Sequence, residues 1–358
     1  MRVSHPRTVS PIRAVTSSLL LKKHFWLVLS LWLGLSGPVF SQVRFSGYFS
    51  QDYLKGQAES DAPQGSFENP RAGLIFAGDW TPQFSCALEL QAKDFNRFEM
   101  EQAWAFLRFS EALRLKFGLY LVPFGKYNES GRAFETRLVE RPLPVRANYP
   151  SSWRDIGALI EGKISFVFYS AYIGNGLAEA ESLSAGQQFR DNNRNKGVGG
   201  RLGLLLGQGL EAGVSYYSGR ADTANSRSLS LRGFDVTWAS QNTRLSAEYS
   251  RADIRNPSPY SNGTAEGFFV VLSFDIAGLN PLVAYEKNRT EDPFHGPGFS
   301  AGPGPLPGAG LSDDRSLWAV GLVYAVSPNI LIKMEYDFNR ETPGLRNDIF
   351  RAQAAVHF

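Results

Sequence analysis

Residues 122–154 read VPFGKYNESGRAFETRLVERPLPVRANYPSSWR, and six basic side chains recur there at intervals of four to eight residues: Lys126, Arg132, Arg137, Arg141, Arg146 and Arg154. Only Glu129, Glu135 and Glu140 oppose them, so the segment carries an excess of three positive charges. Guanidinium groups stay charged at any physiological pH, and a local surplus of one sign raises the concentration of counter-ions nearby. The chemistry on offer is therefore electrostatic selection of small anions. The alternative is that these arginines pair with glutamates and only hold the segment in place. Covalent chemistry has little support. Beyond residue 41 the histidines are His295, in a Gly/Pro-rich stretch, and His357, beside the terminus. A Ser–His pair within hydrogen-bond reach is not expected from those positions, and no pair among the many carboxylates is singled out for acid–base work. Asp292, Asp313 and Asp314 are too dispersed to predict a cation site. No catalytic residue, metal ligand or cofactor is assigned, and the single Cys86 excludes an internal disulfide and reads as packing.

The elements that must carry this segment are legible from pattern. Arg2, Arg7, Arg13, Lys22 and Lys23 precede the apolar run FWLVLSLWLGL and the small-residue stretch GPVFSQ. That order predicts a secretory signal peptide over 1–41, cut after Ser41, because eleven apolar residues are too few to span a bilayer as a helix. Without it the chain has 32 basic and 34 acidic side chains, so the basic balance belongs to the targeting segment and gives no reason to expect nucleic acid. From Gln42 onward no apolar run is long enough for a membrane helix. Alternation recurs instead. LRLKFGLYL sets Leu115, Phe117 and Leu119 against Arg114, Lys116 and Tyr120, and the closing NDIFRAQAAVHF sets Phe350, Ala352, Ala354, Val356 and Phe358 against Arg351, Gln353 and His357.

Sixteen such strands are expected, beginning near Val43, Arg71, Phe84, Phe98, Leu113, Asp155, Ile164, Gly197, Leu210, Leu229, Thr243, Thr264, Leu279, Leu317, Asn329 and Asp348. Tight gaps (TPQ 81–83, SEA 110–112, EGK 161–163, GQG 207–209, SQN 240–242, AGLN 277–280, SPN 327–329) alternate strictly with the other, mostly longer, polar ones. Short connections on one rim and long ones on the other predict an all-β, antiparallel transmembrane barrel over 42–358, with periplasmic turns and extracellular loops. The 155–161 and 279–287 stretches are the least regular, the latter because of Pro281. An even strand count places both termini on the short-turn rim, so the apolar parity of Phe358 and Val356 faces lipid. A soluble sandwich would need fewer and shorter strands.

The opposite parity predicts a polar lumen. Arg44, Arg114, Lys116, Arg244 and Lys333 fall there, with Glu89, Glu248 and Glu335. Charges in such number need water or partners, and a sixteen-stranded barrel is wide enough to hold an aqueous channel. Residues 122–154 form the longest loop, which predicts a functional one, and an inward fold would make it a constriction. Gly125 should permit a bend after Pro123, and part of GRAFETRLVE could be a short helix. The first strand starts so soon after residue 41 that no plug domain is expected. Two other uses of such a barrel are a channel for hydrophobic substrates and a plugged structural barrel.

LRLKFGLYLVPFGKYNESGR, YPSSWRDIGALIEG and NNRNKGVGGRLGLLLG resemble the porin superfamily around the phosphate-selective porins O and P. The resemblance implies a sixteen-stranded trimeric channel for small polar solutes or anions in the outer membrane of a Gram-negative-type cell, and a terminal Phe358 read by the barrel assembly machinery. Two features depart from it. Residues 94–97 are too few for a loop that latches trimers, and the arginine ladder of phosphate channels has no residue-by-residue match.

Overall fold

The computed structural model describes residues 42–180, 182–258, 262–291, 314–341 and 344–358. The expected signal peptide and the Gly/Pro-rich stretch 292–313, with Asp292, His295 and Asp313, lie outside the described residues. Sixteen strands follow one another: β1 (Gln42–Gly56), β2 (Ser66–Thr81), β3 (Phe84–Lys93), β4 (Arg97–Arg108), β5 (Arg114–Leu121), β6 (Arg154–Ile164), β7 (Val167–Gly174) and β8 (Gly197–Leu206) form one half. The other half is β9 (Leu210–Arg220), β10 (Ser228–Ala239), β11 (Thr243–Arg255), β12 (Gly263–Phe274), β13 (Leu279–Glu291), β14 (Asp314–Ser327), β15 (Ile330–Glu341) and β16 (Ile349–His357). Every strand pairs antiparallel with its sequence neighbours, and β16 pairs with β1 to close the barrel. Closure satisfies the edge groups that lipid could not.

Both of the irregular stretches are strands. Pro281 sits one residue before the β12 ladder begins at Leu282, near a strand start where a missing N–H is tolerated. Three boundaries differ from the pattern by more than one residue, one of them that of β14, which starts at Asp314 rather than near Leu317. EGK is strand rather than turn: Glu161 pairs with Arg114, β6 runs on to Ile164, and the turn is Ser165–Phe166, with Ser165 at φ 55°. Gly162 sits within the ladder, opposite Tyr169. β2 starts at Ser66, five residues earlier than expected, because Asn69 and Pro70 are absorbed where the β1–β2 register shifts between Ser50 and Asp52. The short β3–β4 connection is explained by Asp94 and Phe95, both left-handed at φ 52° and 53°, as a tight hairpin requires.

The C-terminal parity follows the register. Phe350, Ala352, Ala354 and Val356 point outward, while Arg351 and Gln353 are buried inside. Phe358 exchanges two backbone bonds with Gly47, at 2.9 and 3.0 Å, and its ring lies 6.2 Å from that of Phe45. Deleting Phe358 should therefore lower the fraction of chain that refolds in detergent to a heat-modifiable barrel, at a cost of about 1–3 kcal/mol for two ladder bonds and a ring contact. Phe358→Ala, which keeps the ladder bonds, should cost less. Equal refolding of all three chains would contradict this account of closure.

Candidate functional site: the lumen and its inward segment

The connection between β5 and β6 does not extend over the rim but folds into the barrel, because its sequence supplies both a closed stem and an apolar face. At the stem, Val122 N–H donates to Trp153 O at 2.9 Å. The fully buried Asn128 donates to Val122 O and Trp153 O, at 2.8 and 3.0 Å, and accepts from Trp153 N–H at 2.8 Å. Gly125 makes the bend at φ 64°, and a side-chain carbon there would lie 2.3 Å from Glu248 Oε2. From the stem the segment crosses the cross-section. Lys126 reaches Glu211 on β9 at 3.2 Å, and Arg132 grips Glu89 on β3 through two bonds of 2.6 and 3.0 Å. Phe134 stacks on His357 of β16, Arg137 donates to Asn280 of β13 at 3.1 Å, and Glu140 meets Arg351 of β16 at 3.0 Å. Besides a 3-10 turn at Tyr127–Glu129, the segment holds one α-helix, α1 (Leu143–Ala147), which starts after Pro142, not in GRAFETRLVE, where Arg132 and Glu135 instead form a charged turn.

Its apolar face meets an apolar sector of the inner wall. Phe124, Leu138, Leu143, Val145, Tyr149 and Trp153 form one buried cluster with Leu229, Leu231, Ala252, Ile254, Phe269, Val271, Leu282, Ala284 and Leu317 of β10 to β14. Trp153 packs edge-on against Tyr217 at 5.0 Å. The polar lumen expected from parity is thus confined to part of the wall. Elsewhere the inward residues are aliphatic, since they face a segment of the chain rather than water.

Several wall charges serve the same attachment. Glu335 accepts from Val139 N–H at 2.9 Å, Glu286 accepts from Leu143 N–H at 2.7 Å, and Glu248 accepts from Tyr127 N–H. Lys333, fully buried, donates to Thr136 Oγ1 and Leu138 O at 3.1 and 3.2 Å. Sequence reading placed Glu248, Glu335 and Lys333 on the inner face; it had no signal that backbone groups of the segment would meet them. Glu89 likewise bonds Arg132, Tyr48 and Gln102. Arg114 and Lys116 pair with Glu161 at 3.3 and 3.6 Å, and Lys116 also lies over Trp104. Arg44 sits near the turn rim, largely exposed, beside Asp79 at 3.4 Å, and Arg244 is exposed toward the same rim.

The six basic residues of the segment divide into two groups. Lys126, Arg132 and Arg154 are ion-paired: Lys126 with Glu129 and Glu211, Arg132 with Glu89 and Glu135, Arg154 with Glu99 and Glu101. Burial works against the charge on Arg132, but Glu89 and Glu135 raise its pKa above the ordinary value. Arg137, Arg141 and Arg146 form no ion pair among the described residues. Arg141 donates to Gly131 O and Ser152 Oγ, at 2.9 and 2.8 Å. Burial and nearby Arg244 lower the pKa of Arg137, with Asp275 opposing.

Two cavities flank residues 130–138. One, of about 220 Å³, opens toward β2 to β4 and is lined by Arg71, Lys93, Arg132, Arg141, Glu89, Glu101 and Glu140 among others. The other, about 310 Å³ and nearer the turn rim, is lined by Lys126, Arg137, Arg244, Leu138 and Val271 among others. Glu135 borders both. The three stretches that carried the family resemblance have architectural roles here. Gly125 makes the inward bend, Asp155 accepts the amides of Asn175 and Gly176 at 2.9 and 2.8 Å to start the next loop, and Asn193 caps that loop's return through Arg220 O.

Residues 145–343 match the sequence model of the Gram-negative porin family. An uncharacterized protein of Aquifex aeolicus is 24% identical over 204 residues, covering 52% of this chain and 46% of that protein, so the chain spans about half the length of the curated relative it matches. Among solved structures, OmpF of Salmonella typhi in complex with daunomycin superposes with a TM-score of 0.64 at 14% identity, over 90% of this chain and 99% of that one. OmpT of Vibrio cholerae in its trimer form gives 0.63 at 12%, over 89% and 99%. The outer membrane channel DcaP of Acinetobacter baumannii gives 0.60 at 11%, over 90% and 99%. At these identities the superpositions show the fold.

Proposed function

The chain belongs to the Gram-negative porin family, and from that premise we propose that it is a passive diffusion channel of the outer membrane for small hydrophilic solutes, with a modest preference for anions. A porin-like barrel is a channel and not an enzyme. Anion preference is supported chiefly by Arg137, Arg141 and Arg146, which form no direct ion pair among the described residues and lie inside the barrel, where screening is weakest. The preference is modest because the larger share of the charge around the cavities is of mixed sign, as the Arg132–Glu89 and Glu140–Arg351 pairs exemplify. Residues 122–154 act as the constriction. A phosphate-specific channel is not favoured, since the motifs shared with the phosphate-selective porins bend and anchor loops.

In the same reading, residues 1–41 are a signal peptide removed after Ser41, Phe358 and Val356 are read by the barrel assembly machinery, and the barrel assembles as a homotrimer. A channel for hydrophobic substrates finds less support: the apolar inner sector is covered by Leu143, Val145 and Trp153.

Reversal potentials of single channels in planar bilayers under a salt gradient test the selectivity. The wild type should favour anions, less so at high salt, and a variant with Arg137, Arg141 and Arg146 changed to glutamine should shift toward cations. Arg132→Gln should shift at least as much in that direction per charge removed, since it leaves the Glu89 carboxylate uncompensated. A cation-selective wild type, or a triple variant with an unchanged potential, would leave a nonspecific porin.

A further inference from the structure

The apolar band on the outer wall is uneven. In β10 its outward residues are only Trp238, Val236 and Phe234, and in β11 only Leu245, Ala247 and Tyr249. Five residues rise about 17 Å along a strand before any tilt, short of the roughly 25 Å apolar band of outer-membrane barrels. The next outward residues are Arg232 and Arg251, directly opposite each other in the ladder. Like charges so placed repel. Arg251 is held by Asp253 at 3.0 Å and Glu266 at 3.2 Å. Arg232 is exposed and its guanidinium has no partner among the described residues.

Two depressions of the outer wall meet at Arg232 and Tyr216. The one toward the loop rim, about 620 Å³, is polar: three arginines, Arg232, Arg251 and Arg255, line it with Asp253 and the hydroxyls of Ser218 and Ser230, and Glu266 sits behind Arg251, which leaves a small positive excess carried by Arg232 and Arg255. The one toward the turn rim, about 530 Å³, is apolar, running past Gly200, Leu202 and Val214. A cationic polar recess lying directly over an apolar groove, beside an aromatic ring at the height of the headgroups, matches an anionic amphiphile. We propose that this face of the barrel holds a phosphate-bearing lipid of the outer leaflet, its phosphate between Arg232 and Arg251 and one acyl chain along Leu202 and Val214. A second copy of the chain seated on the same face about a two-fold axis would bring two sets of arginines together, so charge complementarity favours the lipid over that arrangement; a head-to-tail contact, as in a cyclic trimer, is the outcome that the oligomer measurement separates. The site is independent of what crosses the lumen.

Native mass spectrometry of delipidated protein in detergent tests it, with a diphosphorylated acyl-glucosamine disaccharide lipid as probe and phosphatidylcholine as the control lipid. Heat-modifiable migration verifies that each variant is folded. The wild type should retain one probe lipid per barrel in preference to phosphatidylcholine. Arg232→Ser should weaken retention about tenfold, the equivalent of one charge-assisted hydrogen bond, and Arg232→Lys should largely restore it. Val214→Trp, which fills the groove and leaves every charge in place, should weaken it as well. Inorganic phosphate, lacking the chain, should compete poorly. Unchanged retention by Arg232→Ser and Val214→Trp would overturn the proposal, as would full displacement by inorganic phosphate at a concentration equal to the lipid's. A lipid-free oligomer that dissociates on Arg232→Ser would reassign the face to contact between copies.

Discussion

Replacing Trp153 by alanine is expected to loosen the inward segment and raise both the single-channel conductance and its noise. The indole is fully buried, packed on Tyr217 at 5.0 Å and Phe124 at 5.6 Å, and lies at the stem where Val122 bonds Trp153 O. Removing a buried tryptophan costs about 3–5 kcal/mol when the site cannot collapse, and here the strands beneath it are fixed by their ladders while the segment above is held by side chains. The loss should therefore appear as detachment of the segment more than as unfolding of the barrel. Conductance should rise while the heat-modified band survives to nearly the same temperature. Leu143→Ala, removing a smaller buried side chain, should act the same way at about 2–5 kcal/mol. A variant whose conductance and noise match the wild type would show that the apolar seam does not hold the segment in the lumen.

The second large effect concerns pH. Glu140 bonds Arg351 at 3.0 Å and accepts from Arg141 N–H at 3.2 Å. Burial would raise its carboxyl, but Arg351, Arg146 and that amide outweigh burial and bring it from the ordinary 4.5 to about 2. A depressed carboxylate stabilises the attached state fully above the ordinary value, and the contribution is lost as pH falls through the depressed one. The shift corresponds to a ceiling of about 3 kcal/mol, lowered by Glu140's contact with the cavity. Channel noise attributable to this tie should stay flat from neutral pH to about pH 4 and grow toward pH 2. In Glu140→Gln the tie is weakened at every pH, so the excess noise over wild type should be present at neutrality and shrink in strong acid. Noise in the variant indistinguishable from wild type at pH 7 would remove Glu140 from the attachment.

The barrel itself was legible because its signals are local. Alternation from Phe350 to Phe358, tight gaps such as GQG and SPN, and the length of the 122–154 connection each depend on neighbours within a dozen residues, and the strand count followed from them. Even Pro281 was compatible, being near a strand start. The basic residues of the long segment were also visible, since charge needs no structure to be counted.

What stayed hidden was which residues those charges would meet. Leu229 and Leu231 point inward and Arg232 outward, the reverse of an apolar-out, polar-in pattern. A period of two dictates that successive side chains take opposite faces; it does not say which face is which. That assignment is settled by what covers each face. For Leu231 the cover is a segment roughly a hundred residues earlier in the chain, whose Phe124, Leu143 and Trp153 form part of the same buried cluster. For Glu335 and Glu286 it is the backbone amides of Val139 and Leu143. Composition and spacing determined a sixteen-stranded barrel with one long, charged loop. Only closure of the barrel around that loop decided that part of the lumen is packed, and that Lys126, Arg132 and Arg154 are ion-paired while Arg137, Arg141 and Arg146 form no ion pair among the described residues, because burial and pairing depend on distances between strands that sequence separation does not encode.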